Sequence, residues 1–386
     1  MDMQEQINNQ HCPRKLNVLV LNYEFPPLGG GAAPVSKELA SRIAEKGHHV
    51  DVVTMRYKDL PEQELVDGVH VYRVNCLRKK KFSCQPWEQL SYLLSAKKIL
   101  NQLMASNDYD FCHAHFIVPT GVLARYLKKK YGLKYILTAH GSDVEGYNKK
   151  KSNKMMLFLL RPFWKSIVKE SERTFSPSKF LDRLMKKQYR GDYAIIPNGV
   201  DLTKYNYNCS SGKEQRIIFV GRLQWTKNVQ ALIKAISLIS LNGWKVDIVG
   251  DGPYRKELEK LVTDNHLNNV VIFRGWVTNG SDEHMEYLRK ASLFVSMSYF
   301  ESFGVSVVEA AAMGCDLLLS DIEAHRMLIK NENCFVTPDD YNALAYAIKD
   351  YIDKKIDLHI DRESIERFDW KSVADAYEKE YERVCM

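Results

Sequence analysis

The feature that most constrains the fold of this chain is an alternation of apolar, strand-like runs with amphipathic helical patterns, which occurs twice. The first series opens with residues 17–22, NVLVLN, followed by the turn PPLGGG at 26–31 and a helical pattern. The second series opens with residues 216–221, RIIFVG. Apolar runs without polar alternation are typical of parallel strands that are covered on both faces. The sequence therefore predicts an α/β protein with two doubly wound, Rossmann-like domains.

The same patterns predict the domain boundaries. A polar stretch without periodicity, residues 199–214, separates the two series. We therefore predict an N-terminal domain over 1–200 and a C-terminal domain over 201–367. Residues 368–386 carry an amphipathic helical pattern, and this helix either caps the second domain or crosses back to the first. Further strands are predicted at 49–54, 111–117, 134–139, 245–249, 270–273, 293–297 and 316–320.

Composition narrows the class of protein. At 386 residues, the chain is too long for one ordinary hydrophobic core. It has no run of about 18 uncharged apolar residues, which a membrane-spanning helix needs. The polar N-terminal segment has no basic-then-apolar signal pattern, and the eight cysteines form no CxxC pair. These features predict a cytoplasmic protein with reduced thiols.

Charge is distributed unevenly between the two halves of the chain. Residues 1–200 hold 32 Lys and Arg against 19 Asp and Glu, whereas residues 201–386 hold 23 against 29. A basic first half indicates an anionic partner, such as nucleic acid, phospholipid or a phosphorylated substrate. A solvated, lysine-rich surface explains the same excess equally well. No interleaving of aromatic and basic residues supports nucleic acid, and we expect none as a partner.

Candidate ligand-binding residues of the first domain follow its predicted strands, where open α/β sheets bind their ligands. Gly30 and Gly31 precede a helix, so their amides are candidates for a phosphate contact, although a plain tight turn fits them equally well. Their spacing is not the GxGxxG of nicotinamide-binding proteins. His140 follows the strand at 134–139, where a small polar ligand has access to an imidazole. A satisfied structural histidine is the alternative.

Two patterns resemble metal sites, but their positions argue against that role. His113 and His115 share one face of a predicted strand, without a third ligand nearby in the sequence. Residues 108–110, DYD, resemble the DxD motif that holds a divalent ion in some sugar transferases. They precede an apolar strand instead of following one, so we interpret them as a loop leading into the strand. The sequence therefore predicts no metal site.

The second domain has a more specific pair of cations. Arg222 and Lys227 follow the strand at 216–221, in the segment VGRLQWTKN. Arginine supplies a planar fork and lysine a point charge, so the pair is suited to clamping a diphosphate. A second turn at a strand end, VGDGP, occupies residues 249–253.

Two carboxylates, Glu301 and Glu309, bracket an apolar segment in SYFESFGVSVVEA. A helix is predicted to begin near Gly304, with Glu301 in the loop before it and Glu309 more than one turn inside it. The amides of Phe303, Gly304 and Val305 then form an anion-attracting helix N-terminus between the two acids. This arrangement suits a nucleotide-sugar, with phosphate on the amides and hydroxyl groups on the carboxylates. A helix-terminal acid beside an ordinary surface acid is the alternative.

Taken in order along the chain, these motifs resemble the retaining glycosyltransferases of family 4 (group 1), which have the GT-B fold. The resemblance extends from NVLVLNYEFPPLGGG to DWKSVADAYEKEYERV, and Glu301 and Glu309 match the family's E-x7-E motif. It implies two Rossmann-like domains that face a cleft and a C-terminal helix that packs back toward the first domain. Ser302 stands where many relatives have glycine, and the larger side chain would narrow the sugar pocket.

The resemblance also implies a role for each candidate sugar-binding residue. Glu309 would bind the ribose of the donor, and Glu301 would lie beside the transferred hexose. His140 would contact the sugar, so His140 and Glu301 are the candidate catalytic residues.

For the leaving group, the resemblance implies a clamp of cations where other enzymes use a metal ion. Arg222 and Lys227 would hold the diphosphate, while Gly30 and Gly31 would approach the phosphates or the sugar. The donor would be a UDP- or GDP-linked sugar, and no further cofactor is expected. No enzymatic nucleophile is evident, so attack by the acceptor on the same face as the leaving group is implied.

The function implied by the resemblance is transfer of a sugar from a nucleoside-diphosphate sugar to a glycan or lipid-linked saccharide, in cell-surface polysaccharide synthesis. A sugar-nucleotide epimerase of the GT-B fold shares the donor site and is the alternative. A nicotinamide-dependent oxidoreductase shares the Rossmann pattern, but the glycine fingerprint is missing. A non-catalytic binding module is disfavoured by the complete clamp and both glutamates.

Peripheral attachment to an anionic membrane on its cytoplasmic face is a further expectation. Lys149, Lys150, Lys151 and Lys154 precede MMLFLLRPFWKSIVK at 155–169, which mixes a wide apolar face with cations. A second basic cluster, RKKKF at 78–82, is followed by Trp87. Basic amphipathic stretches with Trp, Phe and Leu lie in membrane interfaces. A core helix with solvated lysines is the alternative.

Overall fold

The computed structural model of the chain describes residues 14–81, 83–147, 151–205 and 212–386, and for residues 151–159 it describes the backbone only. Contacts group the described residues into two compact units. The first unit lies within Met1–Asp143, Lys149–Phe175 and Glu378–Met386, and the second within Val144–Asn148 and Ser176–Tyr377. The domain boundary at residue 200 stays a prediction.

An eight-stranded sheet contains the strands of the first half of the chain, in the order β3-β4-β2-β1-β5-β6-β7-β8. β1 pairs in parallel with both β2 and β5, and β3 is an antiparallel edge strand on β4. Residues 18–21 of β1 are fully buried, as its uninterrupted apolar run predicts. The strands are β1 (Asn17–Leu21), β2 (His49–Met55), β3 (Gln63–Val66), β4 (Val69–Val74), β5 (Phe111–His115), β6 (Tyr135–Thr138), β7 (Arg173–Ser176) and β8 (Tyr193–Ile195).

The helices of this half connect consecutive strands. The helix after β1 buries Val35, Leu39, Ala40 and Ile43 on one face, at the three- and four-residue spacing of an amphipathic helix. The helix after β5 ends at Gly132, whose φ of +75° favours glycine. The helices are α1 (Ala32–Glu45), α2 (Pro86–Ser106), α3 (Thr120–Tyr131), α4 (Lys151–Glu170) and α5 (Lys179–Gln188).

The second sheet has six strands in the order β11-β10-β9-β12-β13-β14, and all its pairings are parallel. This is the doubly wound order, in which the chain starts at a central strand, moves to one edge and then returns to fill the other side. The prediction of a Rossmann-like second domain is confirmed. The strands are β9 (Glu214–Val220), β10 (Lys245–Val249), β11 (Val271–Gly275), β12 (Ala291–Ser296), β13 (Asp316–Ser320) and β14 (Phe335–Val336).

The helices of the second half include three short 3-10 segments. A 3-10 turn, Trp225–Lys227, follows β9, and further 3-10 segments lie at Glu332–Cys334 and Arg362–Phe368. Among the described residues, no helix combines the length and the apolarity needed to cross a bilayer. The α-helices are α6 (Val229–Ser237), α7 (Arg255–Asp264), α8 (Asp282–Lys290), α9 (Val305–Ala312), α10 (Glu323–Leu328), α11 (Tyr341–Ile352) and α12 (Trp370–Cys385).

The C-terminal helix α12 is amphipathic, as its sequence predicts, and its last residues belong to the first unit. The Tyr381 hydroxyl lies 2.7 Å from His113 Nδ1. Glu378 accepts from the Lys46 ammonium at 2.7 Å and pairs with His48 Nε2 at 2.9 Å. These contacts complete the first unit with residues 378–386.

Candidate functional site

The strand order of the second sheet locates a candidate ligand site. The order reverses between β9 and β12, and doubly wound sheets bind ligands beyond the carboxyl ends of the strands at such a switch point. Arg222 and Lys227 follow β9, whereas Glu301 follows β12. The topology therefore brings the loops of the predicted cations and of the predicted sugar-binding acid to the same switch point.

Arg222 is available for a ligand. Its side chain is exposed, and within the part of the chain that the structure describes it has no hydrogen bond or ion pair. The loop behind it is tightly packed, because a Cβ on Gly250 would lie 1.9 Å from the Gly221 oxygen. A Cβ on Gly252 would lie 2.2 Å from the Leu223 oxygen. The glycines of the VGDGP turn are therefore required for this loop to pack closely.

Lys227 and Glu301 form an ion pair across the switch point. Lys227 Nζ lies 2.5 Å from Glu301 Oε1, and the Ser298 hydroxyl donates to the same oxygen at 2.7 Å. Burial alone would raise the pKa of Glu301, but Lys227 and Ser298 outweigh it and hold the pKa below its ordinary value. The carboxylate is therefore ionised, and its side chain is 11% exposed. The sequence predicted both residues but not their contact.

Helix α9 begins at Val305 after Gly304, as predicted. Gly304 has a φ of +105°, in the left-handed region that favours glycine. Among the described residues, the amides of Phe303, Gly304 and Val305 donate to no protein acceptor. Phe303 is fully buried and packs against Phe368, which holds the start of the helix in place. Free N–H groups at a helix N-terminus are able to bind an anion.

Glu309 lies in a different setting from Glu301. It is buried, and its Oε1 accepts a hydrogen bond from the Tyr205 hydroxyl at 3.0 Å. The Tyr205 oxygen also lies 3.1 Å from Asn279 Oδ1 and 3.3 Å from His284 Nδ1. Burial raises the pKa of Glu309 to about 7, although Asn279 and Tyr205 oppose the rise. The Tyr205 hydroxyl has one proton but contacts three acceptors, on Glu309, Asn279 and His284. A proton on Glu309 gives this network a second donor.

Tyr205, Asn279 and His284 were not predicted from the sequence. Tyr205 is separated from Glu309 by 104 residues, and neither residue belongs to a motif that indicates the contact. Burial lowers the pKa of His284 to about 4, so its imidazole is neutral. The Gly280 N–H donates to His284 Nδ1 at 3.4 Å, which assigns that nitrogen as the acceptor.

In the first unit, the glycine loop after β1 is held by a carboxylate. The Gly30 N–H donates to Glu24 Oε2 at 3.2 Å, and Arg78 lies 3.5 Å from the other oxygen of Glu24. The Gly30 amide therefore has a protein partner, and a contact of Gly30 or Gly31 with phosphate or sugar stays a prediction. Gly31 caps α1, and a Cβ on Gly30 or Gly31 would meet open space. Glu24 was not predicted from the sequence.

His140 follows β6 and belongs to a row of imidazoles. His115 Nδ1 lies 3.0 Å from His140 Nε2, and the rings of His113 and His115 stack with centroids 4.4 Å apart. The shared face of His113 and His115 is confirmed. Burial lowers the pKa of His140 to about 3, so the imidazole is neutral at physiological pH. His140 is therefore suited to hydrogen bonding with a sugar, not to carrying charge.

Two residues fix the backbone around this row. Phe116 adopts a φ of +72°, which is unusual for a bulky residue, and its ring lies between those of Tyr23 and His140. Asp143 accepts from the backbone N–H groups of Ile117 at 2.7 Å and His140 at 3.1 Å. Burial raises the pKa of Asp143 to about 6 against the effect of these N–H groups.

The DYD segment at 108–110 leads into β5, as interpreted from its position. Asp110 accepts from the Asn17 N–H at 2.8 Å and pairs with Arg14 at 2.5 Å, while the Tyr109 hydroxyl bonds to Asp51. Both aspartates are thus part of a strand-joining loop. Among the described residues, no three His, Cys, Asp or Glu side chains converge as metal ligands would.

The basic, apolar surface predicted in the first domain is only partly described. Lys149, Lys150 and Phe82 lie outside the described residues, as do the side chains of residues 151–159. Arg78 is buried against Glu24, so it is not a surface cation.

Helix α2 presents an exposed apolar stripe that sequence reasoning missed. Trp87, Leu90 and Leu94 lie at three- and four-residue spacing on its outer face and are 55%, 56% and 63% exposed. Leu77, in the segment between β4 and this helix, is also exposed. The exposed side chains of Lys79, Lys80 and Lys81 follow Leu77 in the chain.

Comparison with known proteins gives consistent matches along the chain. The model of Glycosyltransferase Family 4 matches residues 29–204, and that of Glycosyl transferases group 1 matches residues 208–367. An uncharacterized glycosyltransferase of Methanocaldococcus jannaschii is 26% identical over 384 residues, which cover 93% of this chain and 96% of that protein. The Escherichia coli UDP-Gal:alpha-D-GlcNAc-diphosphoundecaprenol alpha-1,3-galactosyltransferase is 27% identical over 337 residues, 82% of each chain. The structure of sucrose-phosphate synthase from Thermosynechococcus elongatus matches with a TM-score of 0.81 at 20% identity, over 96% of this chain and 99% of that one.

Proposed function

Because this chain belongs to the family 4 (group 1) glycosyltransferases, which have the GT-B fold, we propose that it transfers a hexosyl group from a nucleoside-diphosphate sugar to a saccharide acceptor. In this proposal the anomeric configuration is retained. The observation that carries the proposal is the arrangement at the switch point of the second sheet. There, the exposed Arg222, the Lys227–Glu301 pair and the free amides at the start of α9 follow neighbouring strands.

Each of these groups has a proposed role in binding the donor. Arg222 and Lys227 bind the diphosphate, since a guanidinium fork and an ammonium both make strong hydrogen bonds to phosphate oxygens. The amides of residues 303–305 bind the same anion from the helix N-terminus. Glu301 accepts hydrogen bonds from hexose hydroxyl groups. Glu309 is the proposed ribose contact, for which it must exchange its bond to Tyr205.

The proposed reaction forms and breaks one bond at the anomeric carbon. The acceptor hydroxyl oxygen bonds to this carbon as the bond from the carbon to the diphosphate oxygen breaks. The electron pair of the broken bond stays on the diphosphate, and the hydroxyl proton passes to the departing oxygen on the same face of the sugar. Arg222 and Lys227 stabilise the charge that develops on that oxygen, and His140 donates or accepts a hydrogen bond as a neutral group.

The proposed clamp does not require a divalent ion. Two cations supply the charge that a metal ion supplies in other transferases. Of the two aspartates of the DYD segment, Asp110 is already engaged, because its carboxylate binds the Asn17 N–H and Arg14.

The proposed acceptor is a glycan or a lipid-linked saccharide of a cell-surface polysaccharide pathway. The name of the Escherichia coli relative states a UDP-linked donor and a diphosphoundecaprenol-linked acceptor, which supports this class. An acceptor held in a bilayer would require the enzyme to work at a membrane surface.

Attachment of the first unit to the cytoplasmic face of the membrane is therefore part of the proposal. The stripe of Trp87, Leu90 and Leu94 on α2 supports it, because apolar side chains beside lysines insert into an anionic interface. We expect binding to anionic but not to neutral vesicles, weakened by salt. The variants Lys79→Ser/Lys80→Ser/Lys81→Ser and Leu90→Ser/Leu94→Ser should both weaken it. Equal binding by these variants and the wild type would contradict attachment through α2.

A screen of nucleotide-sugars tests the proposed activity directly. UDP- and GDP-linked hexoses should bind and undergo slow hydrolysis, and the donor that reacts should then transfer its sugar to saccharide acceptors. Conversion of the donor to its epimer without any acceptor would instead identify an epimerase. Absence of binding by every nucleotide-sugar would refute the proposed donor class.

A further inference from the structure

Two aromatic side chains lie beside the Lys227–Glu301 pair and have no role in the function proposed above. Trp225 begins the 3-10 turn that ends with Lys227, and Tyr299 lies two residues before Glu301. Their ring centroids are 4.8 Å apart, and their planes meet at 28°, so the rings stack. Trp225 is nevertheless 51% exposed, which leaves much of the indole open to solvent.

The stacked pair is held by the two loops that carry it. The Tyr299 N–H donates to the Thr226 carbonyl oxygen at 3.0 Å, which ties the loop after β12 to the loop after β9. Asn228 Nδ2 donates to the Pro338 oxygen at 2.7 Å, which fixes the end of the turn that carries Trp225. An exposed ring that is already fixed loses little conformational entropy when a ligand covers it.

The neighbours of the pair indicate the chemistry of its ligand. A pyranose ring has an apolar C–H face that packs on an aromatic ring and hydroxyl groups around its edge. Lys227 and Glu301 supply a hydrogen-bond donor and an acceptor two residues along the chain from Trp225 and Tyr299, respectively. A nucleobase also stacks on aromatic rings, but it has no rim of hydroxyl groups for an ammonium–carboxylate pair to bind.

We propose that Trp225 and Tyr299 form a stacking surface for a pyranose ring beside the diphosphate-binding residues. The ring belongs either to the donor or to the acceptor, and both present the same C–H face and hydroxyl groups. The proposal rests on the proposed function for the roles of Lys227 and Glu301. It adds a sugar-binding surface that lies outside the E-x7-E motif and the cation clamp.

Saturation-transfer NMR with simple sugars tests the surface without a nucleotide. The probes are methyl α-D-glucopyranoside and methyl α-D-galactopyranoside, measured with the full-length protein. Trp225→Leu keeps an apolar side chain but removes the ring, and Trp225→Tyr restores a ring. Trp276→Ala is the matched control, because Trp276 is a similarly exposed tryptophan of the same unit, at 52%.

We expect ring-proton signals from at least one sugar with the wild type, and roughly three- to tenfold weaker binding by Trp225→Leu. Trp225→Tyr should recover most of the affinity, and Trp276→Ala should match the wild type. No signal with either sugar, or equal binding by Trp225→Leu and the wild type, would overturn the proposal. Circular dichroism of each variant establishes that a loss is not due to unfolding.

Calorimetry with UDP and UDP-glucose then distinguishes the source of the ring. If the ring is the donor's, Trp225→Leu should weaken the binding of UDP-glucose more than that of UDP. If it is the acceptor's, both nucleotides should bind as they do to the wild type while the simple sugars bind less. If Trp225→Leu loses the same affinity for UDP and for UDP-glucose, the indole contacts the nucleobase, and the proposal is overturned. Failure of the wild type to bind any nucleotide-sugar would refute the proposed function, while the NMR result still decides the stacking surface.

Discussion

The candidate residues of the two units differ in charge and in contact with water. In the second unit, Arg222 is exposed and Lys227 forms an ion pair with an ionised carboxylate. In the first unit, His113 and His115 are fully buried, and burial lowers the pKa of both imidazoles, so the row that ends at His140 is neutral. Both sets lie at or near the carboxyl ends of parallel strands. The side chains of the second unit are charged, whereas those of the first unit are neutral rings.

This difference indicates which part of a substrate each unit suits. Exposed cations at a strand end bind an anion without a large desolvation penalty. Buried neutral imidazoles act through the direction of their hydrogen bonds, because each ring has one donor and one acceptor. We therefore expect the second unit to supply the affinity for a nucleoside diphosphate and the first unit to contribute little to it.

Removal of the two cations should give the largest effect on binding. Arg222→Ala and Lys227→Ala should each weaken nucleoside-diphosphate binding by roughly 1.5–3 kcal/mol, as for hydrogen bonds to charged groups. Calorimetry with UDP and GDP measures the change, with Lys234→Ala, an exposed lysine of α6, as the control. Lys227→Ala should also lower the free energy of unfolding, because Glu301 loses its partner. Unchanged affinity in both variants would refute the expectation that these cations of the second unit bind the diphosphate.

Glu309 gives the second unit a distinctive dependence on pH. Its folded-state pKa of about 7 lies above its ordinary value, so the folded protein holds a proton that the unfolded chain releases. Stability should therefore fall as the pH rises from about 4.5 to 7, by at most about 3 kcal/mol for this group. Glu309→Gln should remove this loss. The free energy of unfolding, measured with a denaturant at pH 5 and at pH 7.5, tests the expectation. Glu283→Gln, at an exposed position of α8, is the control. If the free energy of unfolding changes equally with pH in both variants, the raised pKa of Glu309 is contradicted.

His113 should give the first unit the opposite dependence on pH. Burial lowers its pKa to about 3, so the unfolded chain binds a proton below pH 6.5 that the folded protein excludes. Stability from this group is complete above pH 6.5 and is lost as the pH falls, by about 2 kcal/mol at pH 5. The free energy of unfolding of the wild type and of His113→Asn, measured at pH 5 and pH 7, tests this loss. The free energy of unfolding of the wild type should rise more steeply with pH than that of the variant.

The smallest expected effect is that of a chelator. Because Arg222 and Lys227 supply the positive charge, EDTA should leave donor turnover unchanged. Activity that EDTA abolishes and that magnesium or manganese restores would show that the cations of the second unit are not sufficient.

The parts of the fold that could be predicted from the sequence are those with a clear period. The strands at 245–249 and 316–320 were predicted to the residue, and α12 within two residues. Each strand is a short, mostly apolar run next to a glycine turn, and α12 has one apolar face. We predicted no strand or helix over residues 63–106, where β3, β4 and α2 lie. In α2 the outer face carries Trp87, Leu90 and Leu94, so apolar residues occur all round the helix and the amphipathic signal is weak.

For the candidate site, the sequence located residues at strand ends but not the contacts between them. The motif around Glu301 indicated an acid before a helix, which the structure has. The ion pair with Lys227 joins residues 74 positions apart, and nothing local to either residue predicts it. Nothing local predicts the contact of Glu24 either, which accepts a hydrogen bond from the amide of Gly30, a candidate for a phosphate contact. Long-range partners of polar groups depend on strand order, which a single sequence does not determine.

The contribution of α12 to the first unit has a consequence for the order in which the protein folds during synthesis. Domains usually fold from the N-terminus as the ribosome extends the chain. Here, Glu378 and Tyr381, the partners of His48 and His113, are translated after the whole of the second unit. Until they emerge, each of these two buried imidazoles lacks one of its hydrogen-bond partners, although the Leu16 N–H still donates to His48 Nδ1 and the Thr138 hydroxyl still contacts His113 Nε2. The unit that is synthesised first is therefore expected to be the last to reach its native state.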